Sequence, residues 1–467
     1  MALSKIWSAF IIVAITIAGL KFMTSNNYGS IFNDMVVGKG GDTVHIASKN
    51  MAEITPFIQN KLTKNPDFAD NRIHYKINSD KSQVKVYRIQ ETDGVINTSE
   101  VAVNICLGLI GIMTLFMGFM GIAEKAGGIN LLSRMIQPFF SKLFPEIPKN
   151  HPSFGHMLLN FSANLLGLDN AATPFGLKAM ESLQTLNPNK DRASNSQIMF
   201  LCLHAGGMTL IPVSIIAIRA SMGSVTPTDI FLPCMMATFA ATLAAMVVVS
   251  LHQKINLFQP VVIAYVGGIS AIIALLVVYL VRLSKEDLDQ FSKVLSSGII
   301  LLIFIAIVLG ALYKKINVFE SFIDGAKEGF YVSVKIIPYL VGMLIAISLL
   351  RTSGVFDVII DGMKYLANLA SLDTRFVDGL PTALIKPLSG SGARGMMVDT
   401  MTTFGADSFQ GKLAAVLQGS SDTTFYVIAV YFGAVGIKNT RYAVTAMLLA
   451  DLVGVIVSVI LAYLFFA

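Results

Sequence analysis

Apolar residues occur along this chain in long runs, and polar residues are concentrated in the gaps between them. The runs at 101–122, 231–251 and 261–281 reach the roughly 20 residues that a helix needs to cross a bilayer. A further run at 6–20 is followed by no A-x-A cleavage motif, so we interpret it as a retained spanning helix. The pattern predicts an all-α integral membrane protein with about nine full spans.

Residues 24–99 differ from the rest of the chain because they are mostly polar. Polar and apolar residues alternate over 74–89, which predicts a β-hairpin, and the glycines in 38–42 predict a turn. We therefore predict a small soluble insert. It contains no cysteine and no recognisable site motif, which favours a role as a spacer or a packing cap.

Glycine and polar residues interrupt the apolar runs twice in each half of the chain. In the first half the interruptions lie at 167–170 and 204–209, and in the second half at 389–394 and 418–424. Backbone that leaves the helix at membrane depth is stable only where it is buried in protein or lines a water-filled cavity. Each half is therefore predicted to contain a re-entrant hairpin followed by a broken helix.

The order of these segments in the first half is repeated in the second. The run at 101–119 matches the run at 332–350 in character, and each is followed by an amphipathic piece, a hairpin and a broken helix. About four crossings in each repeat and one linker helix give an odd number, so the repeats are predicted to be inverted, as in many secondary transporters. The predicted segments are a first transmembrane helix (1–23), the insert (24–99), a first repeat (100–252), a linker helix and loop (253–292) and a second repeat (293–467).

Composition supports a membrane protein and excludes several other classes. Charged residues are only 14% of the chain, about half the fraction in soluble proteins. The net charge of +6 comes from Lys and Arg beside apolar runs, and no basic cluster with interleaved aromatic residues predicts a nucleic-acid partner. Most of these basic residues fall in loops on one side, which predicts a multi-pass protein of the bacterial inner membrane with a cytoplasmic N-terminus and an extracytoplasmic insert.

No enzymatic, metal-binding or cofactor motif is present in the sequence. The three cysteines, Cys106, Cys202 and Cys234, lie in apolar runs without CxxC spacing and are interpreted as buried structural thiols. No Ser-His-Asp order, metal-ligand spacing or P-loop is recognisable, so we predict neither an enzyme nor a cofactor.

The polar residues at the interruptions are the candidates for ligand binding. Half-helix ends near the midplane present free N–H and C=O groups, and Asn, Gln, Ser and Thr beside them suit a neutral solute with several hydroxyls. The predicted ligand-binding residues are Asn164, Asn170, Thr173, His204, Thr209, Ser389, Ser391, Arg394, Gln418, Ser420, Ser421, Asp422 and Thr424.

Asp422 is the most informative of these residues because a buried carboxylate must be paired, protonated or hydrated. It is interpreted either as a proton or sodium site or as half of a structural ion pair with Arg394 or Lys386. We expect it to face the first hairpin tip near Asn170 and Thr173. Any single polar residue here is equally well explained as an interhelical packing contact.

Two long motifs, GLDNAATPFGLKAM in the first half and QGSSDTTFYVIAVYFG in the second, carry a resemblance to known proteins. Most of 100–250 resembles the spore maturation A proteins and 293–467 resembles the spore maturation B proteins, so the chain looks like a fusion of the two. Both belong to the nucleoside recognition (Gate) family, and the resemblance implies transporter-like halves. The insert departs from the family pattern.

Two hypotheses about function follow from these observations. The first is a secondary-transporter-like protein that binds or moves a small polar solute, with nucleosides and nucleobases as the first class to test, together with a coupling ion. The alternative is a membrane scaffold or an envelope or spore-maturation factor without transport. The sequence leaves open the identity of the solute and the coupling ion, and whether the protein forms a homo-oligomer.

Overall fold

A computed structural model of the protein describes residues 2–24, 29–50, 59, 62, 67–70, 73–77, 83–148, 151–166, 169–283 and 285–467. The helices in this part of the chain are α1 (Ala2–Thr24), α2 (Ile31–Val37), α3 (Val95–Lys125), α4 (Gly128–Leu143), α5 (Pro152–Leu165), α6 (Asp169–Leu186), α7 (Asn195–Ala205), α8 (Val213–Ser221), α9 (Phe231–Gln253), α10 (Pro260–Leu280), α11 (Lys285–Tyr313), α12 (Val318–Thr352), α13 (Val355–Leu369), α14 (Leu380–Ile385), α15 (Gly390–Phe404), α16 (Phe409–Gly419), α17 (Thr424–Ala434) and α18 (Ala443–Phe466).

Seven of these helices are long and apolar enough to cross a membrane, namely α1, α3, α9, α10, α11, α12 and α18. The two predicted broken helices are present as the pairs α7–α8 and α16–α17. Counting each pair as one crossing adds two to the seven, which agrees with the nine spans predicted from the sequence. The protein is a multi-pass integral membrane protein whose membrane body is helical.

Both predicted hairpins are also present. In the first, α5 and α6 pack against each other, and the two residues at its tip, 167–168, lie outside the described residues. In the second, the short helix α14 leads through 386–389 into α15, so the turn comes earlier than the predicted interruption at 389–394, of which 390–394 are helical. Ser389 begins α15 as its N-cap, since its hydroxyl oxygen accepts a hydrogen bond from the Gly392 N–H at 2.9 Å.

Two stretches are more regular than the sequence predicted. Residues 285–290, part of the predicted loop after the linker helix, are the first turns of α11, and the amphipathic stretch at 319–330 is continuous with the following span in α12. Both stretches contain Lys, Glu and Asp and no proline. A spanning helix continues beyond its apolar part when nothing in the sequence stops it.

The insert contains a four-stranded sheet in the order β1-β4-β3-β2, built from β1 (Gly38–Asn50), β2 (Asp67–Asp70), β3 (Ile73–Ile77) and β4 (Gln83–Asp93). The predicted hairpin is the antiparallel pair β3–β4, whose connecting residues 78–82 lie outside the described part. The turn predicted at 38–42 is wrong. These residues belong to β1, and the ladder is irregular between Lys39 and Asp42, as at a β-bulge.

The chain forms two compact units. The smaller unit comprises 6–101 and 344–362, and in it the Lys21 amine donates to the Ser353 carbonyl at 2.7 Å. The larger unit comprises 1–5, 102–343 and 363–467. Its main core joins residues of both halves, because Phe200 and Leu201 of α7 pack in one cluster with Tyr431 of α17 and Met447 of α18. All residues described below belong to the larger unit.

Candidate functional site

Each hairpin is hydrogen-bonded to the helix break of its own half. In the first half, the Leu210 N–H donates to the carbonyl of Leu165, the last residue of α5, at 2.8 Å. In the second half, the Phe425 N–H donates to the Pro387 carbonyl at 2.9 Å. The backbone groups that a broken helix leaves without intrahelical partners are therefore satisfied in part by the hairpins.

The two helix breaks also meet each other. The Asp422 N–H, in the second break, donates to the carbonyl of Ala205, the last residue of α7, at 2.8 Å. Gly207 has a φ of +62° at this contact, and a Cβ placed there would lie 3.0 Å from the Asp422 nitrogen. We refer to the two breaks, 205–212 and 420–423, together with the hairpin residues next to them, Leu165 and 386–389, as the junction.

Replacing Gly207 by alanine tests whether the two breaks touch. We expect a loss of about 1–3 kcal/mol in unfolding free energy, because alanine disfavours this φ and its methyl group presses on the opposite break. Gly223→Ala is the matched control, since Gly223 has a φ of +76° with no atom within 4 Å of its ideal Cβ. Thermal unfolding should show a clearly larger loss for Gly207→Ala, and equal losses would contradict the contact.

Polar contacts at both ends show that the two broken helices run antiparallel. At one end, the start of α7 is joined to the end of α17, because the Ala193 N–H donates to the Asn439 carbonyl at 2.9 Å and the Arg441 guanidinium donates to the Asn195 side chain at 2.9 Å. At the other end, the last turn of α8 is joined to the start of α16 through Arg219. The breaks meet between these two ends.

Arg219 is fully buried and is the centre of an ionic network between the two halves. Its Nη2 lies 2.9 Å from Asp229 Oδ1 and 3.0 Å from Asp407 Oδ1, and its Nη1 donates to the Ala406 carbonyl at 2.8 Å. The Lys412 amine completes the network at 2.7 Å from the second oxygen of Asp229. Two cations thus face two carboxylates, which leaves the network neutral.

At the junction, His204 links the first hairpin to the second break. Its Nδ1 lies 2.7 Å from the Asn164 amide nitrogen and 3.1 Å from the Asn160 amide oxygen, so this nitrogen has a partner in either tautomer. Its Nε2 lies 3.6 Å from Asp422 Oδ2. The ring is 5% exposed whereas the Asp422 side chain is 44% exposed, so the carboxylate is accessible and the imidazole is buried.

Tyr431 of α17 packs onto the same side of the junction. Its ring lies edge-on to His204 with centroids 4.9 Å apart, and its hydroxyl lies beside Asn160 and Thr173 of the first hairpin. Gly176 makes room for it, because a Cβ there would lie 2.7 Å from the Tyr431 hydroxyl. The first hairpin is therefore held against α17 of the second half by an aromatic and amide cluster.

A second polar cluster lies where the second hairpin meets the second break. The Lys386 amine donates to the Gln418 carbonyl, and the Gln418 side-chain amide donates to the Gly390 carbonyl at 3.4 Å. The Thr424 hydroxyl donates to Asp451 Oδ2 at 2.6 Å, and Ser421 lies beside the same carboxylate. Asp451 of α18 thus accepts a hydrogen bond from a hydroxyl at the start of α17. Such an interhelical hydrogen bond is expected for an acidic residue in an apolar helix.

The structure brings together most of the side chains predicted to bind a ligand. Asn164, Thr173, His204, Gln418, Ser421, Asp422 and Thr424 lie in the two clusters just described. Three others make local bonds instead. Ser389 caps α15, and the Ser420 hydroxyl donates to the Leu417 carbonyl at 2.9 Å. The Thr209 hydroxyl donates to the Gly207 carbonyl at 2.9 Å. Ser391 and Arg394 lie on α15, and Asn170 is in the first turn of α6 with a side chain outside the described ones.

Asp422 has a partner that the sequence did not predict. The carboxylate contacts His204, on the broken helix of the first half, whereas the Lys386 amine is bound to the Gln418 carbonyl. Sequence spacing favoured a partner in the same half because the antiparallel contact of the two breaks is not encoded in either segment alone.

Accessibility separates the junction residues into two groups. Gln418, Ser420, Ser421, Thr424 and His204 are buried. The partly exposed side chains are Asn164, Thr173, Thr209, Ser391, Arg394 and Asp422. The junction therefore contains both buried polar side chains and polar side chains that are partly exposed.

Sequence reasoning did not single out the Arg219 network or Tyr431. An arginine in the apolar stretch of α8, ten residues before Asp229, was the available signal, because a charged residue in such a segment requires a partner. Tyr431 carried no signal, since an aromatic residue in an apolar helix is usually explained by packing. Among the described residues, no group of three or more His, Cys, Asp or Glu side chains is arranged to hold a metal ion.

Comparison with known proteins places this arrangement in a family. The family model described as "Nucleoside recognition", named Gate, matches residues 106–222 and 333–438. The chain is 48% identical over 172 residues to spore maturation protein B of Bacillus subtilis, and this alignment covers 37% of the chain and 95% of that protein. It is 44% identical over 156 residues to spore maturation protein A of the same organism, and this alignment covers 33% of the chain and 80% of that protein. No solved structure matches the chain.

The two Gate matches correspond to the two halves whose hairpins and breaks meet at the junction, and the two relatives each cover a part of the chain, as expected for a fusion. On these matches, the chain belongs to the nucleoside recognition (Gate) family.

Proposed function

We propose that the protein is secondary-transporter-like and that it binds or moves a small polar solute at the junction. The observation that carries this proposal is the convergence of the two hairpins and the two helix breaks on one polar, partly exposed cluster. Its exposed carboxylate, Asp422, contacts His204 of the opposite half at 3.6 Å. Broken helices from two repeats bind substrates in this way in many secondary transporters.

The chemistry of the junction favours a neutral solute. Two carboxylates, Asp422 and Asp451, lie near two basic groups, Lys386 and Arg394, so the local charges balance. Asn164 and Thr173, both partly exposed, supply hydrogen-bonding groups for a neutral solute. Nucleosides and nucleobases, which have many donors and acceptors and no phosphate, are the first class to test, in keeping with the description of the family.

The antiparallel course of α7–α8 and α16–α17 supports an inverted-repeat transporter mechanism, in which each half alternately opens one side of the site. In this proposal the N-terminus lies in the cytoplasm of a bacterial cell and the insert lies outside the inner membrane, as the distribution of Lys and Arg favours.

A thermal-shift screen tests the proposal. The purified protein is incubated with a panel of nucleosides, nucleobases and other small polar metabolites, with the corresponding nucleotides as charged controls. We expect at least one neutral member to raise the melting temperature by about 2 °C or more at a concentration well above its dissociation constant, and its phosphorylated form to have no effect. Folded protein that responds to no member of a broad panel would contradict solute binding.

The names of the relatives favour a second candidate, a membrane factor in envelope or spore maturation that does not transport. The β-sheet insert, which departs from the family pattern, is a candidate surface for another envelope component. A blank solute screen with folded protein would favour this function over transport.

A further inference from the structure

The break between α16 and α17 leaves a backbone carbonyl that must find a partner. In a continuous helix the Gln418 carbonyl would accept the N–H of Asp422. That N–H donates instead to the Ala205 carbonyl of the other break. The Lys386 amine, delivered by the tip of the second hairpin, takes its place on the Gln418 carbonyl.

The surroundings of this amine are those of a cation site. The carbonyl it binds belongs to the C-terminal end of α16, where the helix dipole is negative. The carboxylates of Asp422 and Asp451 lie near it as well. Lys386 is only 7% exposed, so its charge must be balanced by these groups and not by water.

The side chain of Gln418 adds an oxygen that has no partner. The Gln418 side chain is 6% exposed, and within the described part of the chain its Oε1 accepts no hydrogen bond. The nitrogen of the same amide donates to the Gly390 carbonyl at 3.4 Å, so this side chain, like the backbone carbonyl that Lys386 binds, joins the break to the second hairpin. Carbonyl and carboxylate oxygens of this kind are the ligands that hard cations prefer.

We propose that the Lys386 ammonium stands at the Gln418 backbone carbonyl in place of a bound sodium or potassium ion, which would take up the unpartnered Gln418 Oε1 and the nearby Asp451 carboxylate as further ligands. The protein would then carry this cation on its own hairpin and need no alkali ion to assemble the junction. This inference rests on the proposed function only because the junction that Lys386 helps to assemble is also the proposed solute site.

The test compares the cation dependence of the wild-type protein with that of Lys386→Ala. Melting temperatures are measured in sodium, potassium and choline chloride at constant ionic strength. We expect the wild-type protein to melt at the same temperature, within about 1 °C, in all three salts. Lys386→Ala should melt lower in choline and recover by about 3 °C or more in sodium or potassium, because the alkali ion fills the vacated position.

Two further variants keep the test decisive. Adding Asp451→Asn to Lys386→Ala should abolish most of the alkali-ion recovery, and Lys386→Met, which keeps the apolar stem, should show the same recovery if the alanine variant is poorly folded. Lys412→Ala is the matched control, because this lysine is also largely buried beside a carboxylate, but Asp229 retains Arg219 as a partner.

Three results would overturn the proposal. These are an alkali-ion response of the wild-type protein, the same response in Lys412→Ala, or Lys386 variants that stay unfolded or unresponsive in every salt. No solute is added in this experiment, so a blank solute screen leaves its outcome unaffected, and its failure leaves solute binding untouched.

Discussion

Arg219→Met is expected to destabilise the protein by about 3–5 kcal/mol, the largest stability loss that we predict for a single substitution. Removing one partner of a buried ionic network leaves the remaining charges uncompensated, and this penalty exceeds the gain from an apolar replacement. The variant should melt far below the wild-type protein in detergent or nanodiscs and should give a low yield of folded protein.

The size of this effect follows from the position of Arg219. Its guanidinium is fully buried and binds two carboxylates, Asp229 and Asp407, that lie in different halves of the chain. Without it, Asp407 loses its cation and the end of α8 is no longer tied to the start of α16. The loss should therefore disrupt the contact between the halves as well as the local loops.

Lys125→Ala is the appropriate control for this experiment. Lys125 and Asp324 form an ion pair of similar length, 2.6 Å, but both side chains are about half exposed. We expect no measurable change in melting temperature. Equal effects of the two substitutions would show that burial does not set the importance of Arg219.

Asp422→Asn is expected to weaken solute binding at least tenfold while leaving the fold intact. The carboxylate side chain is 44% exposed and lies 3.6 Å from His204 Nε2. A hydrogen bond to a charged group contributes about 1.5–3 kcal/mol, which corresponds to roughly a ten- to hundredfold change in affinity.

The fold should tolerate this change because asparagine has nearly the same shape and keeps an oxygen that can accept the Thr423 N–H, which lies 2.6 Å from Asp422 Oδ1. Affinity for the solute found in the thermal-shift screen and the melting temperature without solute should be measured on the same preparation. If Asp422→Asn lowers stability by about 1–3 kcal/mol and binds the solute normally, Asp422 is a structural partner of the opposite half and not a binding residue.

The sequence by itself determined the elements of this protein and their order. Apolar runs of spanning length predict helices because a helix satisfies its own backbone in lipid. Glycine and polar clusters such as 204–209 and 418–424 predict the breaks for the same reason, since they do not suit lipid-facing helix. These are local properties, and the hairpins and both broken helices were predicted from them. The turn at 38–42 was predicted wrongly because a glycine-rich stretch also suits a bulged strand.

Only the tertiary structure decided which groups form hydrogen bonds with the backbone N–H and C=O groups at the helix breaks. Asp422 donates its N–H to Ala205 across more than 200 residues of sequence, and Lys386 reaches the carbonyl that Asp422 leaves free. Arg219 finds Asp407 at a similar separation. Each segment alone shows that a polar group needs a partner, but the choice among several suitable partners depends on which helix ends come together. The antiparallel packing of the two broken helices brings them together, and no local pattern of residues specifies it.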